Sequence, residues 1–546
     1  MYGRTALLCA AVAATALTGC TKVGTQSAGV GGRHAYTIPH TLRYATAEDI
    51  AGLNPHLQTQ TVVAYMSSLT MAFLMKTGPH NEATPELVTV VPSKENGGIS
   101  SDGKIITFRL RKGVVWSDGQ PFTADDVVFS TNVILNPANN EISRSGWDLI
   151  TKIDEPDKYT VRYFLKKPYG GFMYQYFSSA GANPCVLPKH LLAQYPNINN
   201  VPYNSLPVGI GPFKYLSWKR SDSVEMVANP SYFRGKPKLD KIIFKIIPDR
   251  NTTLTELQAH EIDLWAPVSA NYYPRVQGID GVTVLKQPGY NFGHIDFNIA
   301  HPALRDVAVR TALRLATDRI TIRDKIRHGL GTVQDDMVAP TNPAFDPKVP
   351  TTPFSIAQAN ALLDKAGWAR GPGGIRAKNG VRLALVFATS SGTPDTDQMI
   401  ELVRGWWKQI GVDIDVKRYQ SAMMFGPYSA GGIIYGGKFD LVTFQWGGDP
   451  QGDLSNLYEC NQFPPNGQNV VHYCNPKVDQ AMETFKTLYS FQARQPYANF
   501  VQEQLQRDAP TIVTSIADDI FAYSSDLTGF HPNQLAAFDG FQNVDI

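Results

Sequence analysis

A helical pattern that stops at a glycine and runs straight into a strand constrains this chain more than any other feature. Leu402, Trp406, Trp407 and Ile410 recur at helical spacing, Gly411 ends the run, and Val412, Ile414 and Val416 then alternate with Asp413, Asp415 and Lys417. The period changes from about 3.6 to 2 within a few residues, so an amphipathic helix is followed by a half-buried strand. Ser355 opens a second such helix, carrying Ala359, Leu362, Leu363 and Ala366 and stopping at Gly367. Ile106, Phe108 and Leu110 alternate with polar residues after the Asp102-Gly103 turn, and Val161, Tyr163 and Leu165 do so after Asp157-Lys158. Between them Thr123 is placed as a helix N-cap, with Asp125 and Asp126 in the first turn and Val127, Val128 and Ile134 as the apolar stripe. This recurrence predicts an α/β fold. A chain of 546 residues exceeds what one hydrophobic core supports, so two or more lobes are expected.

Charge excludes several partners. Fifty basic residues face 48 acidic ones for a net charge of +2, which leaves no electrostatic footprint for nucleic acid and no polybasic arm for anionic lipid. The partner is therefore recognised by a shaped site. At the N-terminus Arg4 precedes the apolar stretch Ala6 to Leu17, which ends in Leu17-Thr18-Gly19-Cys20. The stretch is too short to span a bilayer and has the flanks of a signal peptide. Small residues before a cysteine resemble a lipobox, so 1–19 is expected to be a lipoprotein signal peptide, Cys20 the lipidated residue and 20–35 a flexible tether. A secretory signal without lipid is the alternative. Either way the expectation is an exported protein of the cell envelope with a soluble body.

Enzyme signatures are missing: no H-E-x-x-H, G-x-S-x-G, Walker loop or G-x-G-x-x-G occurs. Gly209-Ile210-Gly211 and Gly329-Leu330-Gly331 read as turns, and the acid pairs Asp125/Asp126 and Asp518/Asp519 are placed at helix starts or in loops. The expectation is a protein that is not an enzyme and holds no cofactor or metal. Cys185 reads as a buried free thiol. Cys460 and Cys474 share one Pro/Gly/Asn-rich segment and admit three readings: a disulfide worth about 3 kcal/mol in the chain-entropy picture, two free thiols, or part of a metal site with His472. Boundaries between lobes are sought at Pro196–Pro207 and Lys286–Asn298, with Ala339–Pro353 a long surface loop.

One run is more specific. Ser101-Asp102-Gly103-Lys104, Phe108 to Val114 and Trp116-Ser117-Asp118-Gly119-Gln120-Pro121-Phe122-Thr123-Ala124-Asp125-Asp126-Val127 closely resemble the signature of family 5 bacterial extracellular solute-binding proteins, the peptide/nickel group of importer receptors. The likeness continues in order through Val208 to Phe213, Asn229 to Pro237, Leu257 to Asp263 (with His260 where glycine is usual), Phe297-Asn298, Asp318-Arg319, and Trp446-Gly447-Gly448-Asp449-Pro450. It implies a large type II periplasmic-binding-protein fold: lobe I from 36–82, 204–287 and 507–546, an inserted domain at 83–203, lobe II at 288–506, and a hinge. It also implies a monomeric receptor that captures oligopeptides by hinge closure and hands them to a permease and its ATPase subunits. In peptide-binding members an aspartate shortly after a tryptophan takes the ligand's α-ammonium, which makes Asp449 the first candidate, against a reading as a turn residue before Pro450. Trp446 and Asn298 are the other ligand-binding candidates. One departure weakens a strict dipeptide role: Ser390 to Gln398, where dipeptide receptors place a carboxylate-gripping arginine, contains none. Longer peptides, or a cationic non-peptide ligand such as an opine or a metal chelate, fit better; haem and peptide-signal sensing remain alternatives.

Overall fold

The computed structural model describes residues 32–546 apart from 59, 79, 80, 142, 143, 145, 181–183, 427, 429, 430, 536 and 537. The expected signal peptide, Cys20 and most of the expected tether lie outside the described residues.

One mixed ten-stranded sheet runs through the molecule. Its strands are β1 (Thr41–Thr46), β2 (Phe213–Lys219), β3 (Ser223–Ala228), β4 (Lys241–Ile246), β5 (Leu264–Trp265), β6 (Val282–Phe297), β7 (Ala384–Ser390), β8 (Asp413–Tyr419), β9 (Leu441–Trp446) and β10 (Thr511–Ser524). Their spatial order is β8-β7-β9-β6-β10-β5-β1-β4-β3-β2. Each half carries its own core. Leu42, Tyr44, Met66, Phe213, Phe244 and Phe538 pack together on the β1 side, and Phe297, Leu313, Phe387, Val403, Trp407 and Leu441 on the β7 side.

The long strands β6 and β10 join the halves. They pair antiparallel along most of their length, with register shifts between Pro288 and Phe292 and between Gly293 and His294. β10 changes core as it runs: Ile512 lies with the β7 side and Phe521 with the β1 side. The Lys286–Asn298 stretch, marked from sequence as a boundary, is thus an irregular strand shared by both halves.

A third core belongs to a small domain between β1 and β2. Its three-stranded sheet pairs Ile105–Arg109 with Thr160–Leu165 and that strand with Ile150–Asp157, all antiparallel. The helix Ala124–Leu135 covers it, closed at its start by the reciprocal capping of Thr123 and Asp126 that the sequence predicts. The helix Pro394–Gln409, the left-handed Gly411 and β8 likewise follow in the expected order.

Two readings change. Gly209 and Gly211 are required for close approach rather than for a turn: a Cβ at Gly209 would sit 1.9 Å from the Thr70 carbonyl oxygen, and one at Gly211 2.3 Å from that of Leu69. Both therefore press on the C-terminal end of the helix Thr61–Thr70. Asp518 and Asp519 lie inside β10, not in a loop or at a helix start. A strand sends neighbouring side chains to opposite faces, so the two acids part company.

The small domain also touches the β7 half. Lys167 pairs with Glu483 at 2.6 Å, the Gly170 amide donates to the Lys486 carbonyl at 2.8 Å, and the Tyr489 hydroxyl donates to the Gly103 carbonyl at 2.5 Å. Gly170 leaves no room for a side chain here, because its Cβ would meet the Leu488 carbonyl oxygen at 1.8 Å.

Candidate functional site

Where the halves and the small domain face one another lies a cavity of about 330 Å³. Its walls come from the helix Thr61–Thr70 (Tyr65, Ser68), the small domain (Tyr174), the irregular part of β6 (Tyr290, Asn291), β10 (Asp519) and the loop after β9 (Gly447 to Gln451). A second cavity of about 310 Å³ lies on the far side of the Gly447–Pro450 strip and is walled by Phe292, Met337, Trp446, Leu454 and Leu457. Tyr290 and Asp449 line both. Each volume is in the range of small-molecule sites.

The strip between the cavities is held tightly. A Cβ at Gly448 would stand 2.2 Å from the Tyr290 carbonyl oxygen, so the chain passes there only without a side chain. Asn342, from the loop read as surface, donates to the Asp449 carbonyl at 2.9 Å. Asp449 Oδ1 accepts the amides of Gln451 at 2.8 Å and Asp453 at 3.0 Å, which fixes the carboxylate on its own loop. Oδ2 has no donor among the described residues. One oxygen thus shapes the turn, as the reading of a turn residue before Pro450 has it, and the other takes no protein hydrogen bond among the described residues.

Electrostatics single out this residue. Burial, and then the charge of Asp453, push the Asp449 carboxyl up to about 7 against the pull of its two amide bonds and of Arg494. Arg494 is buried behind the loop and makes no ion pair with Asp449; it donates to the Gln451 side chain at 2.5 Å and the Leu488 carbonyl at 2.7 Å. A cation arriving from the cleft would relieve a charge that the protein itself leaves poorly compensated.

Of the other candidates, Trp446 ends β9 opposite Phe292, stands edge-on to Phe444 and lines the second cavity but not the first. Asn298 lines neither. Its amide donates to the Phe439 carbonyl at 2.9 Å and its oxygen accepts the Ala300 amide at 3.1 Å, so it ties the end of β6 to the chain before β9. The bonds of Asn298 are those of a structural tie, and it is not among the residues lining either cavity. Cys460 and Cys474 are joined in a disulfide, closing the loop that carries Gln468 to the second cavity, and Cys185 is a buried free thiol. No group of three or more metal-ligating side chains occurs among the described residues. Sequence reasoning missed Tyr65, Tyr290, Asn342 and Asp519, which come from four distant segments with no local signature.

Two cores joined by a shared strand pair, with an acid-lined cleft between them, define a two-lobed solute receptor of the periplasmic-binding-protein fold. Residues 85–467 match the family described as bacterial extracellular solute-binding proteins, family 5 Middle, and the chain belongs to that family. It is 26% identical over 477 residues to the oligopeptide-binding protein AppA of Bacillus subtilis, covering 86% of this chain and 85% of that protein. It is 23% identical over 527 residues to a dipeptide-binding protein of Escherichia coli, covering 93% and 94%. Among solved structures, NikZ from Campylobacter jejuni in complex with Ni(L-His) aligns with a TM-score of 0.78 at 24% identity, over 93% of this chain and 99% of that one.

Proposed function

We propose that this protein is the solute-binding component of an ABC importer, capturing oligopeptides or peptide-like solutes by their ammonium group in the cleft. The observation that carries the reading is that Asp449 lines the cavity with one carboxylate oxygen held by its own loop and the other without a protein donor among the described residues. A desolvated carboxylate meeting an ammonium forms a charge-assisted pair whose loss costs roughly 3–5 kcal/mol, which is about two to three and a half orders of magnitude in affinity. The names of AppA and of the dipeptide-binding protein point the same way. Closure around the ligand then presents one shape to a permease with its own ATPase subunits, and no bond is made or broken.

We take the protein to act as an exported monomer anchored through Cys20. Lobe I is built on β1 to β5, the inserted domain on 83–203 and lobe II on β7 to β9. The change of core along β10 favours a crossing near residue 517 over the boundary at 507 expected from sequence. A second reading, a cationic non-peptide ligand such as an opine or a metal chelate, is favoured by one observation: no lysine or arginine is among the described residues lining either cavity. Thermal denaturation with a mixed peptide pool separates the two. Peptides are expected to raise the melting temperature, and Asp449→Ala to abolish the rise; no rise with any peptide would leave the non-peptide reading.

A further inference from the structure

Asp519 has no part in the reading above, yet it lines the same cavity as Asp449. Its neighbour Asp518, on the opposite face of β10, is satisfied: it accepts the Gly331 amide at 2.9 Å and lies 3.8 Å from the Lys286 ammonium. The Asp519 side chain, by contrast, accepts no hydrogen bond and makes no ion pair among the described residues. Gly289, on the neighbouring strand β6, leaves room beside it, since a Cβ there would stand 2.9 Å from its Oδ1. Burial, and then the charge of Asp518, push its carboxyl up to about 6, and Asp449 is not among the charges that do so. The two cleft carboxylates therefore act as separate anchors, one on the loop after β9 and one on the strand shared by both halves.

We propose that Asp519 is a second cation-recognition residue of the cleft, selecting ligands that carry a basic group in addition to the ammonium held by Asp449. This rests on the reading that Asp449 takes an ammonium. A neutral wall would hold the second group of any peptide equally well; an unpaired carboxylate facing the cavity is costly unless a cation meets it. The chemical class is a dication: a peptide with an N-terminal lysine or arginine, or a small diamine.

The test is calorimetric titration of the full-length protein with three probes: Lys-Ala-Ala, its neutral isostere norleucine-Ala-Ala, and cadaverine. The wild type is expected to bind Lys-Ala-Ala at least about tenfold tighter than the norleucine peptide. Asp519→Asn is expected to erase that preference while changing the affinity for the norleucine peptide less than about threefold, and Asp449→Asn to weaken both peptides. Asp519→Asn breaks no internal bond, and circular dichroism at matched temperature checks that it folds. Equal binding of the two peptides by the wild type, or a preference that survives Asp519→Asn, overturns the proposal and leaves the peptide reading standing. Binding of cadaverine alone upholds the two-cation site and overturns the peptide reading. Binding of none of the three overturns both.

Discussion

Asp449→Asn is expected to make the empty protein more stable while destroying its function. In the folded chain the carboxyl is lifted from 3.8 to about 7. A difference of about three pH units, at about 1.4 kcal/mol each, sets a ceiling of about 4 kcal/mol on the destabilisation that the ionised group imposes. The sign follows from proton binding. Between pH about 4 and about 7 the folded state holds a proton that the unfolded state has released, so stability falls as pH rises through that window. The destabilisation is complete above pH about 7 and absent below about 4. Water reaching the cleft face of Asp449 offsets part of it, so the expected gain at pH 8 is about 1–4 kcal/mol. Asparagine keeps the Oδ1 acceptor for the Gln451 and Asp453 amides, so the loop survives. Urea denaturation of ligand-free wild type and Asp449→Asn at pH 4, 6 and 8 measures the effect: the curves are expected to coincide at pH 4 and to separate in favour of the variant as pH rises. A variant no more stable than wild type at pH 8, or a gap that ignores pH, would refute the reasoning.

The same group makes binding depend on pH. With Asp453 and the buried Arg494 as the other charges acting on it, an ammonium ligand is expected to lose about tenfold in affinity per pH unit below about 7 and to release close to one proton at pH 6, read by calorimetry in buffers of different ionisation enthalpy. Gly448→Ala is expected to weaken any ligand more than about tenfold, because its Cβ at 2.2 Å from the Tyr290 carbonyl oxygen must push the Asp449 loop aside; unchanged affinity would contradict the close approach. The contact between the small domain and lobe II separates two magnitudes. Lys167 and Glu483 are both nearly half exposed, so Lys167→Ala is expected to change the ligand off-rate less than about threefold. Tyr489→Phe removes a part-buried bond to Gly103 worth about 1 kcal/mol and is expected to raise the off-rate about fivefold, measured by stopped-flow fluorescence.

The fold was largely legible where local pattern and tertiary structure agree. The helix capped by Thr123, the stop at Gly411 and the alternation into β8 all express short-range rules, and each stands where the sequence places it. Of the residues lining the cavities, only those in a contiguous motif, Trp446 to Asp449, were legible as candidates. Asn298 sits in a family-like block, and its bonds to Phe439 and Ala300 serve the backbone at the end of β6. Asp519 was passed over because two adjacent acids look like a solvated turn; nothing local reveals that they lie in mid-strand, one facing a lysine and the other a cavity. Asn342 braces Asp449 across more than a hundred residues of chain, a relation no spacing rule encodes.

The irregular stretch of β6 between Pro288 and Phe292 carries one more consequence. Residues there lack regular partners on β10, so bending between the halves costs least at that point. Tyr290 and Asn291 belong to the same stretch and form part of the cavity wall. A guest in this cavity would therefore lean on the least regular point of the shared strands, and even a small molecule that never reached the outer rims of the two halves would bear on their balance.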